Sequence, residues 1–160
     1  MKKVIFLLLL LVPSITFAYS TSATSAVLMD MDSNVVLYEK NAHNQRSVAS
    51  ISKIMTAIVA IESKDINDVV IVGDEIKKAY GSGVYITQGE EITLESLLYG
   101  LMLRSGNDAS LAIAKYVGGN INDFVKMMNE KAVEIGMKDT VFNNPNGLDE
   151  AGGNLSTAYD

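Results

Sequence analysis

A serine and a lysine three residues apart, Ser50 and Lys53, lie in the stretch SVASISKIMTAIV (47–59), whose apolar residues recur at helical spacing. Residues at i and i+3 of a helix share a face about one turn apart, so the lysine amine can reach the serine hydroxyl. Serine is a poor nucleophile until a base takes its proton, and a neutral lysine can be that base. Burial and the positive end of a helix both disfavour the ammonium and lower its pKa. Moving a lysine from ~10.4 to ~7 corresponds to roughly 4–5 kcal/mol of differential interaction, comparable to the stability of a modest domain. A lysine under that load points to chemistry. The competing reading is a lysine that snorkels to the surface beside a serine that only caps the helix.

A second group, Ser105-Gly106-Asn107, falls at a break between two helical segments. There a hydroxyl and a side-chain amide can both face a cleft, although the same residues suit a turn and a cap. Ser-His-Asp catalysis would need His43, the only histidine, which sits in a polar loop seven positions before Ser50 and reads as an exposed loop residue. With one histidine and no cysteine, no familiar zinc cluster can be assembled, and disulfides are excluded. Neither a metal nor an organic cofactor is implied.

The elements that must position these groups follow from periodicity and turn residues. Ala26 to Asp30 and Val35 to Glu39, separated by Met31-Asp32-Ser33-Asn34, predict a hairpin, and Asn41 to Val48 a loop leading to Ser50. Apolar positions 51, 54, 55, 58 and 61, widened by 59, predict a largely buried helix ending near Lys64, with Ser50 in its first turn. Val69 to Val72 reads as a short strand, and GSGVYITQGEEIT (81–93) as loop and extended chain. Thr93 reads as the N-cap of a helix presenting Leu94, Leu97, Leu98, Leu101 and Met102 on one face. A helix from about Asp108 to Val117 stops at Gly118-Gly119. Another runs from about Asn122 to Ile135, with Ile121, Phe124, Val125, Met128, Ala132 and Ile135 as its stripe and Gly136 past its end. Asn144-Pro145-Asn146-Gly147 reads as a turn, and Ser156-Thr157 offers a capping hydroxyl for a further helix.

The N-terminus opens with a basic pair and an apolar run from Val4 to Val12, then Pro13 and small residues around Ala18. This predicts a signal peptide over residues 1–18, cleaved after Ala18 and directing the rest of the chain out of the cytoplasm; the apolar run is short for a spanning anchor. The formal net charge is −6, and removal of Lys2 and Lys3 makes it two units more acidic. An acidic chain is a poor partner for nucleic acid, whose phosphates call for a basic face.

Taken in order after a signal peptide, these motifs resemble the serine-type D-alanyl-D-alanine carboxypeptidases, the low-molecular-mass penicillin-binding proteins, a family for which a Ser-x-x-Lys motif is a recognised signature. The resemblance spans the opening hairpin and nucleophile segment, AVLMDMDSNVVLYEKNAHNQRSVASISKIMTA. It continues through GVYITQGEEITLESLLYGLMLRSGNDASLAIAKYVGG and VFNNPNGLDEAGGNLSTAYD. It implies an α/β, β-lactamase/transpeptidase-like fold: an antiparallel sheet flanked by helices, with a helical subdomain around residues 74–140 and a cleft between the two. It further implies Ser50 as nucleophile toward a terminal D-Ala-D-Ala bond, Lys53 as base and Ser105 as proton relay. Asn107 would hydrogen-bond the substrate peptide and help hold Lys53, and the Ser50 N–H would donate to the oxyanion. The implied partners are peptidoglycan stem peptides and β-lactam antibiotics, at the extracytoplasmic face of the membrane.

The family's third motif, Lys-Thr-Gly or Lys-Ser-Gly, occurs nowhere in the 160 residues. The expectation is that residues 19–160 form the N-terminal portion of a longer catalytic domain, with any membrane anchor further along, and that a 160-residue form has little carboxypeptidase activity. A β-lactamase-like hydrolase and a non-catalytic peptidoglycan-binding module are the alternatives the residues leave open.

Overall fold

A computed structural model of the chain describes residues 20–149 and 152–160. The expected signal peptide and its cleavage point lie outside the described residues. Among the described residues no helix is long and apolar enough to cross a membrane.

The chain begins with a hairpin of β1 (Ala26–Met29) and β2 (Val36–Lys40), paired antiparallel from Ala26↔Lys40 to Met29↔Val36. Its turn closes because the Asp30 carboxylate accepts from Ser33 N at 2.8 Å and Asn34 takes the left-handed conformation (φ 57°) that asparagine tolerates better than most residues. The polar segment after it carries β3 (Arg46–Ser47) into a 3-10 turn, Ala49–Ser52, and then α1 (Lys53–Ser63). Next come β4 (Val69–Ile71) and β5 (Glu91–Thr93), antiparallel to each other, followed by three helices: α2 (Leu94–Arg104), α3 (Asn107–Gly118) and α4 (Ile121–Glu134). A last short strand, β6 (Leu155–Ser156), returns to pair with β3. Helices therefore cluster together while the strands form separate two-stranded pairs.

The core lies among the four helices. Leu94, Leu97 and Leu101 of α2, Ile113 of α3 and Phe124 and Met128 of α4 are essentially inaccessible. From Asn107 to Ala114 every residue of α3 is buried, so α3 is the central rod against which the other three pack. Thr93 caps α2 as expected, its hydroxyl accepting from Ser96 N at 3.2 Å. Gly136, just past α4, has φ 86°, the left-handed ending its position suggested.

The face assigned to α1 needs correction. Ile51, Ile54 and Ile61, read as part of a buried stripe, are 66%, 50% and 54% exposed. The buried side carries Met55 and Val59, as expected, together with Ser52, Lys53, Thr56, Ala57 and Ala60. Periodicity weighs only hydrophobicity, whereas here three polar side chains go inside because each finds a backbone carbonyl. Ser52 Oγ donates to Ala49 O (2.7 Å), Thr56 Oγ1 to Pro145 O (2.6 Å) and Lys53 Nζ to Asn146 O (2.7 Å). Ile51 and Ile54 line an apolar groove of about 530 Å³ together with Met137 and Phe142. Met102 and Ile135, also assigned to buried stripes, are half-exposed. Ser156 lies in β6, and Thr157 Oγ1 accepts from Asp160 N at 2.9 Å.

Candidate active site

Ser50 is exposed on the 3-10 turn, and the α-helix proper begins only at Lys53. A 3-10 turn has three residues per turn, so i and i+3 are eclipsed. That phase aligns the two side chains: Lys53 Nζ lies 3.2 Å from Ser50 Oγ. Ala49, immediately before the serine, is held at φ 44°, an unfavourable conformation for a residue with a Cβ.

Lys53 is 2% exposed and has no carboxylate partner among the described residues. Its amine has two acceptors, the Ser50 hydroxyl and the Asn146 carbonyl, and neither carries a charge. Burial without a counter-charge brings its pKa down from 10.5 to about 8. The amine is therefore partly neutral near physiological pH, as a base for serine must be.

The Asn146 carbonyl was not anticipated, although its turn was. The segment 144–147 is fixed from within, since Asn144 Oδ1 accepts from Gly147 N (2.6 Å) and from Asn146 N (3.3 Å). Fully buried Asn154 braces it from outside, accepting from Asn143 N and Asn144 N and donating to Asn144 O. Gly147 adopts φ 81°, and a Cβ built there would overlap the Ala49 carbonyl. The turn thus presses directly on the backbone that carries Ser50. The available signal was the Pro-Asn-Gly sequence, which marks a rigid turn but not what it touches.

The second motif forms the junction of α2 and α3. Ser105, half-buried, ends α2 in the left-handed region (φ 54°), and Gly106 is the N-cap of α3. Ser105 Oγ makes no hydrogen bond to Ser50 or Lys53 among the described contacts. Asn107 is buried; its Nδ2 donates to the Tyr80 carbonyl at 2.6 Å, and its Oδ1 has no hydrogen-bond partner among the described residues. The expected tie from Asn107 to Lys53 is not made; the Asn146 carbonyl takes that place. His43 lies against Tyr159, the rings tilted by 34° with centroids 4.7 Å apart, and is not among the described hydrogen-bond partners of Lys53. The structure therefore joins Ser50 with Lys53 directly and leaves Ser105 and Asn107 unlinked to them by hydrogen bonds.

Comparison with known proteins identifies the family. The family model described as D-alanyl-D-alanine carboxypeptidase, peptidase family S11, matches residues 13–160. The chain is 38% identical, along its whole length, to D-alanyl-D-alanine carboxypeptidase DacF of Bacillus subtilis, covering 46% of that protein. It is 40% identical over 86% of its length to DacD of Escherichia coli, covering 38% of it. Its fold superposes on a D-alanyl-D-alanine carboxypeptidase from Mycobacterium tuberculosis with TM-score 0.85 and 32% identity, spanning 92% of this chain and 56% of that one. The chain thus spans less than half the length of the curated relatives it matches. The paired Ser50 and Lys53, the α/β fold around them and these matches together place the chain in the S11 family of serine D-alanyl-D-alanine carboxypeptidases.

Proposed function

We propose that the protein to which these residues belong cleaves the terminal D-alanine from peptidoglycan stem peptides through an acyl-enzyme on Ser50, outside the cytoplasm, and that β-lactams acylate the same serine. The observation that carries this reading is the buried, uncompensated amine of Lys53 at 3.2 Å from the exposed Ser50 hydroxyl.

In its neutral form Lys53 keeps one N–H on the Asn146 carbonyl and offers its lone pair to the Ser50 proton. Ser50 Oγ attacks the carbonyl of the penultimate D-alanine as its proton passes to Lys53 Nζ. The tetrahedral intermediate then collapses, and the C–N bond breaks. Ser105 relays the proton from Lys53 to the departing amine, and D-alanine leaves. Water attacks the resulting ester, giving up its proton to the same base; the ester C–O bond then breaks as Lys53 returns that proton to Ser50 Oγ, and the shortened peptide leaves. The Ser50 N–H donates to the oxyanion, and Asn107, with an unpartnered acceptor, takes the substrate's peptide N–H.

The test uses the full-length gene product. Fluorescent penicillin should label it covalently, with a mass shift on the peptide containing Ser50, and a D-Ala-D-Ala peptide should release D-alanine. Ser50→Ala should abolish both. Labelling that survives in Ser50→Ala refutes this reading.

A further inference from the structure

The helix α3 starts without a side-chain cap, because its N-cap is Gly106. The next acidic residue, Asp108, is 6% exposed and has no cationic partner among the described residues. A buried carboxylate in that position must be stabilised by N–H donors. It has four. Oδ1 accepts from Ala109 N (2.8 Å) and Val84 N (3.1 Å), and Oδ2 accepts from Tyr85 N (2.6 Å) and Ile86 N (3.2 Å). Three of these donors belong to a segment more than twenty residues earlier in the chain.

That segment, residues 80–86, is a strap laid across the junction of α2 and α3 and fastened at two points by adjacent residues. Asn107 holds one end, its N–H donating to Ser82 O at 2.8 Å and its Nδ2 to Tyr80 O at 2.6 Å. Asp108 holds the other. Between the fastenings, Val84 sits over Gly100 and Gly106, where an added Cβ would come within 3.1 and 3.2 Å of its methyl groups. Tyr85 is kept at φ 63°, a strained conformation for a tyrosine, which the short bond from its N–H to Asp108 offsets. The Asn107 amide thus has its donor half committed to the strap, while its Oδ1 is left unpartnered.

We propose that Asp108 is a positioning residue for substrate binding: by clamping Val84–Ile86 it fixes the strap, and the strap in turn sets the orientation of the Asn107 amide oxygen. The inference rests on the functional reading above and deepens it. Asp108 touches no reacting atom. Its effect travels through Tyr80 and Ser82 to Asn107, so a loosened clamp lets the amide turn and misplaces the acceptor.

The experiment measures single-turnover β-lactam acylation of the full-length protein. Final labelling amplitude counts folded enzyme, while the second-order rate constant reports on the site. Asp108→Asn keeps the shape but points an NH2 group at backbone N–H donors. It should lower the rate constant about 10- to 100-fold, the scale of a small misplacement at a reacting centre, at near wild-type amplitude. Val84→Ala, which loosens the strap while leaving Asp108 intact, should slow acylation in the same direction. The double variant should match Asp108→Asn within about twofold, because both act on one element. Hydrogen exchange at the Val84, Tyr85 and Ile86 amides should quicken in Asp108→Asn. If Asp108→Asn fails to fold, Val84→Ala decides. A wild-type rate constant in whichever variant folds, or effects that multiply in the double variant, overturns the proposal. An unlabelled wild type overturns the functional reading instead, and the hydrogen-exchange result then stands as the measure of the clamp.

Discussion

Lys53, beside Ser50, shows how surroundings shift the protonation of a side chain. An exposed lysine would be an ammonium at neutral pH; this one loses water on burial and gains only uncharged acceptors. With a pKa of about 8, the neutral fraction rises roughly tenfold per pH unit below that value and saturates above it. Deprotonation creates the base, so the acylation rate constant of the full-length protein should climb between pH 6 and 8 and level off beyond, as stopped-flow labelling would show. A flat profile across that range contradicts Lys53 as base. Lys53→Arg keeps a positive charge that cannot be shed, and should lower acylation on the order of 10²- to 10⁴-fold at every pH.

At the scale of elements, the turn that carries Ser50 and the turn at residues 144–147 are in direct contact. Gly147→Ala meets two obstacles, a positive φ and a Cβ overlapping the Ala49 carbonyl, so the turn must move away from Ser50. That movement takes the Asn146 carbonyl from Lys53. The variant should lose β-lactam labelling and melt at a lower temperature, as differential scanning calorimetry and gel fluorescence would report. Elsewhere the elements act locally. Thr93→Ala removes the α2 cap and should cost about 1 kcal/mol in denaturant unfolding, with the acylation rate constant unchanged. The cap was legible because its donor lies three residues away, whereas the contact of Gly147 with Ala49 spans about a hundred residues and leaves no local pattern.

At the scale of the molecule, the four helices enclose a core centred on α3, and one side of α1 faces outward. Phe124→Ala, at a site with 0% exposure, should destabilise the chain by roughly 3–5 kcal/mol in equilibrium unfolding. The groove edged by Ile51, Ile54, Met137 and Phe142 is apolar and open, so the isolated 160-residue chain should bind an environment-sensitive apolar dye. Ile54→Glu should weaken that fluorescence, and unchanged dye binding would argue against the groove as its site.

Residue types and short spacings were enough to reveal the hairpin, the α2 cap, the approximate spans of α3 and α4 and the Ser-x-x-Lys pairing, because each depends on chemistry within a few residues. The burial of α1 could not be read that way. Hydrophobic periodicity favoured Ile51, Ile54 and Ile61, yet Lys53 and Thr56 went inside because carbonyls at Pro145 and Asn146, about ninety residues away, were there to accept their protons. A polar side chain's preference for the interior depends on whether a partner is present, and long-range folding alone supplies that partner. The same holds for the strap on Asp108 and for the lysine itself: its identity was visible in the chain, but its lowered pKa arises only when tertiary packing removes the water.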